Sequence, residues 1–196
     1  GTPSKDNLAF WNGDLPWVSP KDMKQDLVSD SIDKITEEAV LASSVNLIPS
    51  GSVLMVVRGM ILIHSVPVAL TTRTVTINQD MKAMVVDRHR LNGTFWLRHL
   101  QGVKNVLLDL TESSAHGTKC LRSEGFEKLS VPIPPLDEQL HIVNYLTSTL
   151  ERIDKTHDKA NKLIHLAEER RTALISAAVT GKIDLRGWTQ PGEVTA

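Results

Sequence analysis

The sequence predicts an α+β protein. A compact domain of mixed strands and helices, residues 1–130, is followed by one long C-terminal helix. Three observations carry this reading. Short apolar, β-branched runs bounded by turn residues recur through the first two thirds of the chain, interrupted by a segment with helical spacing. Three prolines, Pro132, Pro134 and Pro135, then block a helix and mark 131–135 as an extended linker. From Leu136 no proline or glycine occurs until Gly181.

Residues 1–20 are rich in Gly, Pro, Ser and Asn and are punctuated by Phe10, Trp11 and Trp17, which predicts a loop held down by its rings. Ser19 to Asp22 form a turn or a short helix start, and Ser31–Glu38 is compatible with a helical turn. Pro49, Ser50 and Gly51 make a turn before Ser52–Val57 (SVLMVV), a buried strand by its continuous apolar, β-branched character. Ile61–Ser65 and Arg73–Ile77 read as two further strands, with Pro67 and the TTRT run between or beside them. Asn78–Asp80 is a turn, and Met84–Val86 a short strand. Gly93–Leu100 has helical spacing, Val106–Leu110 reads as a strand, and the small polar run Ser113–Lys119 as a loop. Leu121–Leu129 leads into the proline linker.

The helix is expected to cover 136–180, with 181–196 as a tail. Asp137 and Glu138 stand in its first turn, where the macrodipole favours acids. With Leu136 at heptad position a, the a positions are Leu136, Val143, Leu150, His157, Ile164, Arg171 and Ala178. The d positions are Gln139, Leu146, Ile153, Ala160, Ala167 and Leu174. Ten of these thirteen are apolar, which is a coiled-coil pattern. At 1.5 Å per residue the helix is about 65 Å long and calls for a partner helix.

Composition excludes several classes. One cysteine, Cys120, rules out an intrachain disulfide and a four-cysteine zinc site, and suits a reducing cytoplasm. No run of 18 apolar residues occurs. No glycine-rich cofactor loop, N/D-P-P-Y/F clamp, PD-(D/E)xK nuclease spacing or GxxxxGK[ST] loop is found, so neither catalysis nor a cofactor is expected. Seven histidines form no HExxH and no i, i+4 pair, so no metal site is expected. The net charge is −1, yet charge is unevenly spread. Residues 1–40 hold four Lys/Arg against eight Asp/Glu, whereas 58–104 hold seven against two. That basic window can supply phosphate contacts; it can equally be a solvated mixed-charge surface.

Several strings resemble the specificity subunits of type I restriction–modification enzymes. They are GTPS at Gly1–Ser4, W-x-G-D-L-P-W at Trp11–Trp17, ITEEAVLASS at Ile35–Ser44, and P-PPL-EQ from Pro132 to Gln139. Further along come Ile153–Asp154, ERR at Glu169–Arg171 and AVTGKIDLR from Ala178 to Arg186. The resemblance implies a target recognition domain that reads one half of a split sequence in double-stranded DNA. It also implies a non-catalytic role, a helix that acts as a fixed spacer, and docking of methyltransferase subunits and through them restriction subunits. Family members pair two such helices antiparallel. One domain and one helix therefore imply either a half-subunit that homodimerises or a piece of a longer subunit. In such a pair, Leu136, Val143, Leu146, Leu150, Ile153, Ala160, Ile164, Ala167, Leu174 and Ala178 form the seam, with His157 and Arg171 setting register.

Base edges in the major groove must be met by polar side chains on loops projecting from a rigid sheet. The loops offering them carry Ser19 and Lys21, Arg58, Arg73 and Thr74, Gln79, Arg88 and Arg90, and His116, Thr118 and Lys119. Lys21, Arg58, Arg73 and Lys119 are the foremost candidates, each at an expected turn or strand end. Arg88, Arg90 and Arg98 suit phosphate contact or solvation, and Gln79 suits turn capping as well as base reading. The competing class is a coiled-coil interaction module that binds protein rather than DNA. Its near-zero net charge favours it, and the basic window opposes it.

Overall fold

The structure, a computed structural model, describes residues 1–113 and 117–189. In chain order the elements begin with β1 (Trp11–Val18), β2 (Leu27–Val28), β3 (Lys34–Ile35), α1 (Glu37–Ala42), β4 (Val53–Val56), β5 (Val68–Thr71), β6 (Thr76–Ile77) and β7 (Met81–Met84). They continue with α2 (Gly93–Gly102), α3 (Lys104–Asp109), β8 (Thr111–Ser113), β9 (Lys119–Leu121), α4 (Ser123–Glu127) and α5 (Leu136–Val179). The strands form a four-stranded sheet in the order β2-β5-β4-β7, a three-stranded sheet β3-β1-β6, and the hairpin β8-β9. The chain divides into two compact units, Gly1–Asn144 and Tyr145–Ala196.

The first unit is built on β4. Its residues Val53, Leu54, Met55 and Val56 are all buried, which requires cover on both faces of the sheet. Antiparallel partners, β5 and β7, occupy both of its edges. Leu97 and Leu100 of α2 and Leu107 of α3 belong to the same core cluster. A second, smaller cluster gathers Trp17, Ile35, Ala39 and Val45. Two side chains cap helices here: Thr36 accepts from the Ala39 N–H at the start of α1, and Asn92 accepts from Thr94 and Phe95 at the start of α2.

Five expectations are corrected. Residues 11–18 form a strand rather than a ring-anchored loop. The strand is irregular, with a bulge between Trp11 and Leu15, both opposite Ile35. Gly13 sits inside that bulge, where an added Cβ would collide with the Ile35 carbonyl oxygen. The rings do anchor the segment before it: Trp11 and Trp17 pack edge to face and donate to the carbonyls of Ser4 and Gly1. The run 61–65 begins in a 3-10 turn, Met60–Ile63, and continues through its C-cap His64 instead of forming a strand, because both edges of β4 are taken.

Val68–Thr71 is a strand that polar Thr71 concealed. Thr71 is fully buried, and its hydroxyl is engaged with Pro49 and Ser52 backbone oxygens. The short strand expected at 84–86 lies at Met81–Met84. Residues 106–110 belong to α3 and its C-cap and not to a strand. The spacing Val103, Leu107, Leu110 is helical, but the unbroken apolar run around it masks the period.

The long helix runs from Leu136 to Val179. Its first turn is pinned within the first unit by Gln139, which is fully buried. The amide oxygen of Gln139 accepts from the Asn92 N–H at 2.8 Å, and its nitrogen donates to the carbonyls of Arg90 and Pro134 at 2.9 and 2.7 Å. In the second unit the helix carries large exposed aliphatics, among them Ile153, Leu163, Ile164, Leu166, Leu174 and Ile175. No helix among the described residues is long and apolar enough to cross a membrane.

Candidate nucleic-acid interface

Sheet direction sorts the candidate residues. β5 and β7 both run opposite to β4, with Met81 beside Val56 and Met84 beside Val53. Residues that follow β4 therefore lie at one end of the sheet, and residues that follow β5 and β7 lie at the other. Four strand residues separate the two ends, about 13 Å.

Arg58 emerges at the first end. Its N–H, like that of Val57, donates to the Asp80 carbonyl, which sets it beside the Asn78–Asp80 turn that carries Gln79. On its other side runs β9. Leu121 donates to Val57, Arg58 bridges Cys120, and the Gly59 N–H donates to the Lys119 carbonyl at 3.0 Å. Arg58, Gln79 and Lys119, far apart in sequence, are thus gathered around one strand end. Thr118 directly precedes Lys119 and is half-buried, while Arg58 is exposed. Gln79 accepts a hydrogen bond from the Thr2 hydroxyl, so its amide is partly engaged in fixing the Gly1–Ser4 segment. His116 lies outside the described residues.

Arg73, Thr74, Arg88 and Arg90 lie at the opposite end. Hydrogen bonds from Lys34 and from the Ser31 N–H hold the Asp30 carboxyl below its ordinary range, and the nearby charge of Arg73 adds a smaller effect. Arg88 donates to the Ser50 carbonyl. Arg90 gives its carbonyl to Gln139. Ser19 is 5% exposed, and its hydroxyl and N–H both donate to Asp22. That pairing caps the following 3-10 turn and leaves little for a base. Lys21 lies 2.6 Å from Asp33, whose hydrogen bond raises the lysine pKa above its ordinary value. Arg98, part of the basic window, is joined to Asp26 and Gln101.

Sequence reasoning placed Gln139 at a heptad d position, left it out of the seam, and missed its role as a clasp between the first turn of α5 and the α2 N-terminus. The signal available was polarity: a glutamine at a d position is a poor seam residue unless its amide is satisfied. The remaining heptad positions stand on α5 as follows. Val143, Leu150 and Ala178 are half-buried, whereas Ile153, His157, Ala160, Ile164, Ala167, Arg171 and Leu174 are exposed. Leu136 and Leu146 complete the stripe near the start of the helix. Among the described residues no group of three His, Cys, Asp or Glu side chains converges.

Residues 1–165 match the model of the family described as the type I restriction modification DNA specificity domain. The chain belongs to this family. It is 40% identical to the Escherichia coli type I restriction enzyme EcoR124I/EcoR124II specificity subunit over 148 residues, 74% of this chain and 36% of that one. It is 26% identical to the MjaIX specificity subunit of Methanocaldococcus jannaschii over 167 residues, 83% of this chain and 37% of that one.

Two solved structures share the fold. One is a chain of a type I R-M system, solved to explain complex assembly and conformational transition. It has a TM-score of 0.70 at 18% identity and covers 90% of this chain and 41% of that one. The other is the HsdS subunit of Thermoanaerobacter tengcongensis, with a TM-score of 0.57 at 17% identity, covering 78% and 34%. The chain thus spans well under half the length of these relatives.

Several strings that carried the resemblance have structural duties in this specificity domain. GTPS supplies the carbonyls to which both tryptophans donate, the glycine of W-x-G-D-L-P-W admits the close approach of β3, and the glutamine of P-PPL-EQ is the buried clasp.

Proposed function

We propose that this specificity domain reads one half of a split DNA sequence and positions methyltransferase subunits, and through them restriction subunits, without catalysing a reaction itself. In this reading residues 1–130 are the recognition domain, 131–135 the linker, 136–180 the coiled-coil spacer and 181–196 a tail. Arg58 and Lys119 read or grip DNA together from one sheet end, with Gln79 and Thr118 on neighbouring segments; His116 is a further candidate by its sequence alone. Arg73, Thr74, Arg88 and Arg90 at the far end contact phosphates of a flank, and Ser19 and Lys21, paired with Asp22 and Asp33, fix the turn after β1. The observation that carries this is the convergence of Arg58 and Lys119 on one strand end through the Gly59–Lys119 backbone hydrogen bond. Among the described residues, neither has an acid within ion-pair distance. An arginine held this way can offer two parallel donors to guanine.

The exposed aliphatic positions of α5 support pairing with a second long helix, which a second copy of the chain would supply. Such a homodimer reads inverted, identical half-sites.

The test is selection from random duplexes by the purified chain with its methyltransferase partner, repeated across salt concentrations. A split motif with inverted, identical halves is expected. Enrichment of a single half would remove the homodimer and keep base reading. No enrichment at low salt would overturn DNA reading and leave a helical interaction module.

A further inference from the structure

The Met60–Ile63 turn next to Arg58 has no duty in the core beyond one residue. Leu62 is 1% exposed and plugs the turn into the main cluster, whereas Met60, Ile61 and Ile63 are 59%, 44% and 47% exposed. A connection at a sheet end that serves only to reverse the chain is ordinarily polar. Three large aliphatics presented to water in four residues are costly to hydrate and mark a contact surface. The turn is also stiff. Leu62 donates to the Gly59 carbonyl, His64 and Ser65 both donate to Ile61, and the Gly59 N–H is tied to β9. Gly59 itself has φ of 137°, a conformation that side chains rarely allow, so the chain is set at this bend by residue choice. A stiff display loses little entropy when it docks.

We infer that the Met60, Ile61 and Ile63 side chains contact thymine 5-methyl groups in the major groove, making this turn a determinant of base specificity beside Arg58. The inference rests on the DNA-reading proposal above. The turn is flanked by Arg58 on one side and by Lys119, backbone-bonded to Gly59, on the other, with exposed His64 following it. The carboxylate of Asp80, on the neighbouring turn, accepts from the Asn78 amide. An apolar patch between cations matches a groove whose apolar groups are thymine methyls and whose walls are phosphates. A protein partner that buried this patch would have to supply acids to Arg58 and Lys119 or leave them without charge partners, at a cost in desolvation.

The experiment compares two random duplex pools, one with thymine and one with uracil throughout, for selection by the full chain with its methyltransferase partner. Uracil pairs as thymine does and lacks only the methyl. The expected result is a thymine-containing motif in the first pool. Affinity for that motif should fall about fourfold for each contacted methyl replaced, the factor that corresponds to burying one methylene-sized group. The double variant Ile61→Ser, Ile63→Ser, which keeps Met60, should bind the thymine motif more weakly and lose less than the parent does on uracil, while its thermal unfolding matches the parent.

Equal affinity of the parent chain for thymine and uracil forms of one selected motif would overturn the inference and leave base reading intact. So would a motif without thymine at any selected position. So too would a variant that keeps its DNA affinity but fails to bind methyltransferase, which would assign the patch to a protein contact. Absence of any motif in either pool would overturn both this inference and the reading beneath it.

Discussion

Gln139 shows how one side chain can carry a structural boundary. A buried amide is tolerated only when its polar atoms are satisfied, and here the oxygen and both amide hydrogens have backbone partners. Replacing it with leucine strands the Asn92 N–H and two carbonyls. The expected cost is about 1–3 kcal/mol, read as a lower urea midpoint with an unchanged slope. An unchanged midpoint would mean that water replaces the amide. Arg58 and Ser19 illustrate the limits of reading single residues. Sequence places both at strand or turn ends, and both lie there. Only the structure reveals that the serine is spent on Asp22 while the arginine stays exposed. Local sequence predicts where a residue stands better than what its neighbours leave it free to do.

Elements were legible in proportion to their period and their isolation. β4 and α2 announced themselves by a dense β-branched run and by helical spacing, and α5 by six heptads without a breaker. The 3-10 turn at Met60–Ile63 and α3 were misread because short apolar runs look alike until their neighbours are known. Which of them becomes a strand depends on a free sheet edge, and β5 and β7 leave β4 none. For α5 the proposal of a paired helix gives a direct expectation. Leu150→Lys, within the apolar stripe, should convert a dimer to a monomer in sedimentation velocity and leave the unfolding transition of the first unit in place. A dimer that survives the change would put the interface elsewhere.

At the scale of the whole molecule, the arrangement of charge matters more than its total. A chain of net charge −1 can still grip a polyanion if its free cations share a surface, and the two sheet ends hold separate sets. Arg58→Ala with Lys119→Ala should abolish enrichment of the selected motif. Arg73→Ala with Arg88→Ala should preserve the motif and flatten the salt dependence of binding, by about one unit of slope for each phosphate no longer neutralised. The reverse pattern would move the reading surface to the other end.

What the sequence by itself determined is the class of the molecule: a mixed domain, a proline break, a long helix with a repeating apolar stripe, and strings shared with a family. These are local or periodic properties, and local chemistry specifies them. The tertiary structure alone decided which loops meet. Arg58 and Lys119 become neighbours only when β9 lies along the end of β4, and Gln139 finds Asn92 only when α5 docks on the α2 N-terminus. Those pairings are set by hydrogen-bond satisfaction between distant segments, for which a linear pattern carries no signal.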